Sequence, residues 1–285
     1  MKLADIQFIK KFESNIAKTV KKYNLIEKKD KVIVACSGGK DSTTVLYLLH
    51  KLGYNPQALF IDLGMGEWSD VNMENVKKFC KELGVKLHII TMKKETGCSM
   101  CYIKSVIQSK YKLSQCIICG IIKRWILNKK ARELGMTKIA TGHNLDDEAQ
   151  NVIMNWMKGN MKLSLNLGPK TGTISDKKFV LRIKPLYFTI EKDVENYSKL
   201  MNFSVQYKRC PCAYGTYRVD LRAILDKMKN GREIKINIVN NFLKMLPNMR
   251  NLLRADNELK YCRVCGEPAR QDTCNRCKLM EKFVK

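Results

Sequence analysis

A β-branched run, Lys31-Val32-Ile33-Val34-Ala35, leads through Cys36 into Ser37-Gly38-Gly39-Lys40-Asp41-Ser42 and on into the helical stretch STTVLYLLHKLG. A strand, a two-glycine loop and a helix in that order admit few folds. The glycines let the backbone turn its amides inward, and the helix N-terminus adds partial positive charge, so the loop can hold an anion. The GxxxxGK[ST] spacing of a Walker A loop is absent. An ordinary glycine-rich turn is the competing reading, and the strand–SGGxDS–helix setting weighs against it.

The same rhythm continues downstream. QALFID (57–62), VKLHIITM (85–92), TKIATG (137–142) and FVLRIKPLYF (179–188) read as strands. WSDVNMENVKKFCKELG, GIIKRWILNKKARELG and LDDEAQNVIMNWMKG read as helices. Strands alternating with helices predict a parallel α/β sheet, with the site in loops at the strand C-termini. Ile6, Ile9, Ile16 and Val20 recur at helical intervals among lysines and predict an amphipathic helix over 5–23. The Gly/Ser/Lys-rich residues 160–179 read as a mobile loop, and beyond Cys212 the pattern is helical to about residue 255. The 285 residues suffice for one core plus an appendage.

Charge and compartment narrow the partners. Fifty-three Lys+Arg against 27 Asp+Glu leave +26, spread along the chain, which predicts an extended contact with a polyanion, nucleic acid above all. The alternative is a solvated basic surface. The N-terminus has no apolar signal-peptide core, and no window approaches the roughly 18 apolar residues of a membrane span. The expectation is a cytoplasmic chain with no membrane association. Its thiols are then reduced, and clustered cysteines read as metal ligands or catalysts.

There are 12 cysteines. Cys262-x2-Cys265-x8-Cys274-x2-Cys277 forms two knuckles that suit one tetrahedral zinc, structural because four thiolates leave no open position. Rubredoxin-type iron is the alternative. Cys116 and Cys119 stand at the start of a basic helix, and Lys123, four residues after Cys119, shares its face. The cation would favour thiolates and phosphate oxygens alike. Cys98 and Cys101 form a further pair; burial, a sulfur relay and a second metal half-site are its open readings. Cys36 and Cys80 read as core. Asp146, Asp147 and Glu148 crowd a helix N-terminus, fit either for capping or for a metal-bound nucleotide.

The SGGKDS loop resembles the PP-loop of ATP pyrophosphatases (adenine nucleotide alpha-hydrolase-like), with Ser37, Gly38, Gly39, Asp41 and Ser42 matching. Together with CIICGIIKRW, GHNLDDE (142–148), RIKPL (182–186) and RCPCAYGTYR (209–218), it resembles the TtcA/TtuA family of PP-loop tRNA thiolases, 2-thiouridine synthetase branch. The resemblance runs from about residue 30 to the C-terminus. It implies a nucleotide site of Ser37, Gly38, Gly39, Lys40, Asp41, Ser42 and Gly142 for ATP with Mg2+, and catalytic roles for Lys123, Asp147 and Asp41. It implies a 4Fe–4S cluster on Cys116, Cys119 and one of Cys210 and Cys212. Cys210, eight residues before Arg218, has the expected spacing and is the choice made here. The implied reaction adenylates the uridine 2-carbonyl, after which sulfide from an open iron displaces AMP. Implied partners are tRNA, a sulfur donor (free sulfide or a ubiquitin-like thiocarboxylate carrier) and a second copy in a homodimer.

The expected organisation is an N-terminal helix (1–28), a PP-loop catalytic domain (29–209), a helical segment (210–255) and a zinc ribbon (256–285). Arg263, Arg270, Arg276 and Lys278 are expected to touch tRNA phosphates, with a purely stabilising ribbon as the alternative. His143 is expected to orient or cap rather than move protons. The competing functions are a cluster-free thiolase working through a cysteine persulfide and a non-catalytic tRNA-binding scaffold.

Overall fold

The computed structural model describes residues 2–171, 176–208, 210–213, 216–253 and 259–284. Its sheet comprises β1 (Val32–Cys36), β2 (Gln57–Asp62), β3 (Leu87–Thr91), β4 (Lys138–Ala140), β5 (Lys170–Thr171) and β6 (Leu181–Ile183) in the order β3-β2-β1-β4-β6-β5. All neighbours pair in parallel except β5, which closes one edge antiparallel to β6. The chain winds outward from β1 to β3 and then returns as β4 on the other side of β1. The crevice at the C-terminal ends of β1 and β4 is therefore a topological switch point, where open α/β sheets bind ligands.

Helices α1 (Leu3–Lys22), α2 (Lys40–Lys51), α3 (Glu67–Leu83), α4 (Met92–Thr96), α5 (Met100–Lys110), α6 (Gln115–Glu133) and α7 (Leu145–Met157) follow in order. After them come α8 (Met161–Ser164), α9 (Glu191–Leu200), α10 (Tyr217–Lys227) and α11 (Gly231–Leu253). The sheet is covered on both faces, and the strand period of two shows how. Val32, Val34, Ala58, Phe60 and Ala140 enter the core beneath α1, α2, α3 and α9. Ile33, Leu59 and Ile139 point the other way, onto Leu127 and Ala131 of α6. The expected helix-sandwiched parallel sheet is thus found.

Helix α1 belongs to that covering layer: Phe12 stacks on Tyr197 of α9 with ring centroids 4.3 Å apart, and the Tyr197 hydroxyl donates to Glu13 at 2.7 Å. The stretch expected as a mobile loop instead carries α8 and β5. Arg250 of α11 holds it by donating to the carbonyls of Leu165 (3.0 Å) and Leu167 (3.3 Å). Residues 172–175 of that stretch lie outside the described residues.

The last segment forms a hairpin, β7 (Lys260–Tyr261) and β8 (Pro268–Ala269), followed by α12 (Asn275–Val284). It lies against the catalytic sheet's helices. Leu279 of α12 is buried among Met100, Ile103 and Ile107 of α5 and Ile118, Ile122 and Ile126 of α6. Among the described residues, no helix is long and apolar enough to cross a membrane.

Candidate active site

The PP-loop joins β1 to α2 and is held by its own side chains. Ser42 Oγ accepts from the Ser37 amide (3.1 Å) and donates to the Gly39 carbonyl (3.2 Å), so the turn is fixed before any ligand arrives. Gly38 adopts φ +80°, and a Cβ there would lie 2.5 Å from Asn72 Oδ1. Gly142, at the end of β4, touches the loop so closely that a Cβ would meet the Ser42 amide at 2.8 Å. Its glycine keeps the two loops of the switch point in contact. The segment after α9 also crosses here, Gln206 donating its amide to the Gly38 carbonyl at 3.2 Å. Lys40 turns to Asp41 (3.0 Å) and to Glu191 at the start of α9 (2.8 Å).

Three consecutive acids of α7 meet three different fates, as a 100° step per residue requires. Asp146 turns into the core, where it accepts from Lys235 Nζ (2.6 Å) and the Glu191 amide (2.7 Å). Glu148 is fully buried on Lys184 (2.7 Å). Only Asp147 faces the cleft. Asn144, the N-cap of α7, accepts from the Asp147 amide (3.1 Å) and donates through Nδ2 to Asp41 Oδ1 (3.0 Å). It thereby clamps the catalytic candidates Asp41 and Asp147 side by side. Burial raises both carboxyls above the usual carboxylate range, against the pull of Lys40 on Asp41 and of Arg218 and Arg222 on Asp147. Two crowded carboxylates with raised pKa are a fitting donor pair for a hard divalent cation such as Mg2+.

The walls of the cleft are cationic. Arg218 and Arg222, one turn apart on α10, each approach Asp147 Oδ1 at 3.7 Å. Arg182 of β6 has a buried Nε with no hydrogen-bond partner, and burial followed by the charge of Arg124 brings its pKa down to about 10. His143 donates or accepts at Thr141 Oγ1 (2.9 Å). Enclosure in the cleft, then Lys184, Arg218, Arg124 and Arg182, lower its pKa to about 3. A ring held neutral in this way suits the orienting role expected of it.

Cys116 and Cys119 sit in the first turns of α6, exposed and half-buried respectively, with Lys123 exposed one turn further on. Cys116 Sγ donates to the carbonyl of Cys212 at 3.7 Å, which ties α6 to the single 3-10 turn Pro211–Ala213. Cys212 thus presents its backbone to Cys116. Cys210 is half-buried, and the charges of Cys212 and Cys119 are both felt at its thiol. These three thiols do not converge on one point as ligands of a single ion would; among the described residues only the ribbon does that. A polynuclear cluster holds its thiolates farther apart, so an open, cation-walled three-cysteine rim fits an anionic iron–sulfur cluster. Cys98 is half-buried on the core of α5 and α6, and Cys101 is exposed, so burial accounts for neither fully. Cys36 and Cys80 are buried in the core, as expected.

In the ribbon the sulfurs of Cys262, Cys265, Cys274 and Cys277 all lie within 4.8 Å of one another. Cys265 and Cys274 are 3.7 Å apart. A tetrahedron with Zn–S bonds of about 2.3 Å has edges of ~3.8 Å, so the set fits zinc. Backbone amides of Cys274 and Cys277 donate to Cys262 Sγ (3.3 Å) and Cys274 Sγ (3.4 Å). Of the ribbon cations expected to meet phosphates, Arg276 is spent internally, its guanidinium 4.5 Å from the ring centroid of Trp125 on α6. Arg263 pairs with Asp272 at 3.0 Å.

Sequence reasoning missed the Asn144 clamp and the roles of Arg182, Arg218 and Arg222. Arg182 and Arg218 stood in the quoted motifs only as markers, and Arg222 lay four residues on, at helical spacing.

Known proteins resemble this chain in sequence and fold. A family model described as the PP-loop domain matches residues 8–207. The tRNA-5-methyluridine(54) 2-sulfurtransferase of Pyrococcus horikoshii is 34% identical over 98% of this chain and 87% of that one. The enzyme of the same name from Thermotoga maritima is 30% identical, covering 100% of this chain and 92% of that one. A solved structure, the U34-tRNA thiolase NcsA from Methanococcus maripaludis with its [4Fe-4S] cluster, superposes with a TM-score of 0.76 at 30% identity, over 91% of this chain and 84% of that one. With its PP-loop and open cysteine rim in one cleft, the chain belongs to the PP-loop family of tRNA sulfurtransferases.

Proposed function

We propose that this chain 2-thiolates a uridine of tRNA, spending ATP to activate the 2-carbonyl oxygen and using sulfide to displace AMP. The observation that carries the reading is convergence: Asn144 clamps Asp41 of the PP-loop beside Asp147, Arg218 approaches Asp147 at 3.7 Å, and Arg124 of α6 lies near both Arg218 and Cys119.

The PP-loop amides, with Ser37, Gly38, Gly39, Lys40, Ser42 and Gly142, would seat the triphosphate, and Asp41 and Asp147 would hold Mg2+ on it. Attack of the uridine O2 on the α-phosphorus forms the adenylate and releases pyrophosphate, whose charge Lys123 and the arginines Arg124, Arg182, Arg218 and Arg222 can neutralise. Cys116, Cys119 and Cys210 would hold a 4Fe–4S cluster. Three protein thiolates leave one iron open, which supplies a place for sulfide as nucleophile. Sulfide adds to C2 of the adenylated uridine and AMP leaves, giving the 2-thiocarbonyl. The Cys116 contact to the Cys212 carbonyl supports Cys210 as third ligand, since it turns Cys212's backbone to the rim.

Zinc on Cys262, Cys265, Cys274 and Cys277 rests on their spacing and sulfur geometry, and the division into 1–28, 29–209, 210–255 and 256–285 on the sequence pattern. A homodimer, and free sulfide or a thiocarboxylate carrier as sulfur source, rest on the family resemblance. Exposed thiolates and an iron–sulfur cluster need a reducing compartment, hence the cytoplasm.

The test is anaerobic incubation of the purified protein with tRNA, MgATP and sulfide, reading AMP release and 2-thiouridine in digested tRNA. The expected result is both products from protein carrying iron and zinc. Thiolation by iron-free protein would remove the cluster from the reaction, sulfide then displacing AMP with no iron to hold it, and binding of tRNA with neither product would leave a scaffold. Mapping the modified nucleoside distinguishes position 54 from position 34, the two positions named for the relatives.

A further inference from the structure

Among the described residues, three lysines are buried to 6% exposure or less. Lysine is almost never so deeply buried unless paired. Lys184 sits on Glu148 at 2.7 Å and Lys235 on Asp146 at 2.6 Å. Lys104, only 3% exposed, has neither an ion pair nor a side-chain hydrogen bond among the described residues. A cation placed there with no protein anion to meet it calls for an anion from outside.

Its position says which. Lys104 lies on α5, whose Ile103 and Ile107 pack on Ile118 and Ile122 of α6. One turn further along the same flank, Gln108 accepts from Gln115 Nε2 at 2.9 Å, and Gln115 is the residue before Cys116. That flank therefore faces the cysteine-bearing end of α6. Lys104 also lies close enough to Cys210 for its charge to be felt there. The other cations near the rim differ in kind: Arg124 is solvent-accessible beside Cys119, and Arg182 faces Arg124.

We propose that Lys104 is a positioning residue, the buried counter-charge to the anionic sulfur cluster held by Cys116, Cys119 and Cys210. The inference rests on the reading of those three cysteines as cluster ligands. Three thiolates on a cubane core leave a net negative charge, and an ammonium held on its protein side by a buried stem stabilises that charge. The open side of the cleft stays free for substrate.

Lys104→Met and Lys104→Arg would be reconstituted anaerobically beside wild type and Cys119→Ala. Iron and acid-labile sulfide, the cluster midpoint potential and the melting temperature of the metal-free protein are measured. Metal-free Lys104→Met is expected to melt no lower than wild type, because an unpaired buried charge has gone. Its iron retained after gel filtration is expected to fall several-fold, with a more negative potential in what remains, and Lys104→Arg to restore most of both. Wild-type iron and potential in Lys104→Met would overturn the role. So would equal destabilisation of the metal-free Met and Arg variants, which would make the lysine stem a packing element. A wild type no richer in iron than Cys119→Ala would overturn the three-cysteine reading itself, and the role of Lys104 with it.

Discussion

The ribbon cysteines hold their sulfurs within 4.8 Å of one another, come from one short stretch of chain, and receive backbone N–H donors on two of their sulfurs. Cys116, Cys119 and Cys210 come from two elements far apart in sequence, meet no common point, and open onto solvent through Cys116. The difference is one of purpose. A closed tetrahedron finishes a fold that some thirty residues cannot otherwise stabilise, while an open rim leaves a coordination position for chemistry. Yet both sets lean on α6, which begins with Cys116 and Cys119 and carries Trp125 and Arg132 against the ribbon.

The largest expected effect breaks the comparison on its open side. Cys119→Ala should lose iron and 2-thiouridine formation below detection while keeping zinc and a wild-type melting temperature. Removing a group that merely orients a ligand costs about 10–100-fold, and removing the ligand costs more. Metal analysis with nucleoside analysis reads it, and an iron-replete, active Cys119→Ala protein would sink the assignment.

Next comes Asp147→Asn. In the folded chain burial raises Asp147 and Asp41, so their ionised forms weigh against folding at neutral pH, and this burden fades as pH falls through their folded-state pKa. The variant should therefore melt no lower than wild type at pH 7 in the absence of metal. Its AMP release should fall by on the order of 10²-fold, as for other losses of electrostatic stabilisation. Mg2+ on the pair opposes that rise in the working enzyme, and the pH profile of wild-type activity with MgATP is measured beside the variant's. Because His143 is held neutral, no step near its ordinary pKa should appear in that profile. A step there that disappears in His143→Gln would return the histidine to proton transfer.

How much of this was readable beforehand follows from where the information sits. The PP-loop, the CxxC of α6 and the four-cysteine ribbon are short-range patterns, since their chemistry depends on spacings of a few residues, and the sheet showed through its alternation. What stayed hidden depends on partners distant in sequence. Nothing within LDDE says that Asp146 will meet Lys235 and Glu148 will meet Lys184, leaving Asp147 alone in the cleft. Lys104 looks like any helical lysine until α6 packs over its helix. β5 is two residues long and pairs only because β6 offers an edge. The ribbon's basic residues suggested RNA, but Trp125, ordinary within α6, turns out to face Arg276.

Cys277→Ser sharpens the comparison from the closed side. The ribbon should lose zinc and its fold, and Leu279 should leave the core of α5 and α6. Zinc sites of this kind carry most of the folding free energy of such pieces. Iron loading should fall several-fold as well, whereas stripping iron should leave zinc in place. That asymmetry is the point, because the ribbon braces α6 and the cluster does not brace the ribbon. Equal iron in Cys277→Ser and wild type would make the two sites independent.

The smallest effect tests the brace at Trp125. Arg276→Ala removes both the guanidinium over Trp125 and its 3.9 Å hydrogen bond to Cys277 Sγ, while leaving all four ribbon cysteines in place. A partly buried cation–π contact contributes about 1 kcal/mol, which in a chain of this size lowers the melting temperature by roughly 2–4 °C. Arg263→Ala is the matched control, since its partner Asp272 is a surface carboxylate and Arg263 is itself 79% exposed. That variant should melt like wild type. If Arg276→Ala also lowers iron occupancy at full zinc, then strain passes along α6 from Trp125 to Cys119, less than two turns away. If zinc and iron both stay at wild-type levels while only the melting temperature moves, the contact holds the ribbon without steering the cleft. Leu279 and its apolar neighbours would then be the part of the ribbon that positions the cluster helix.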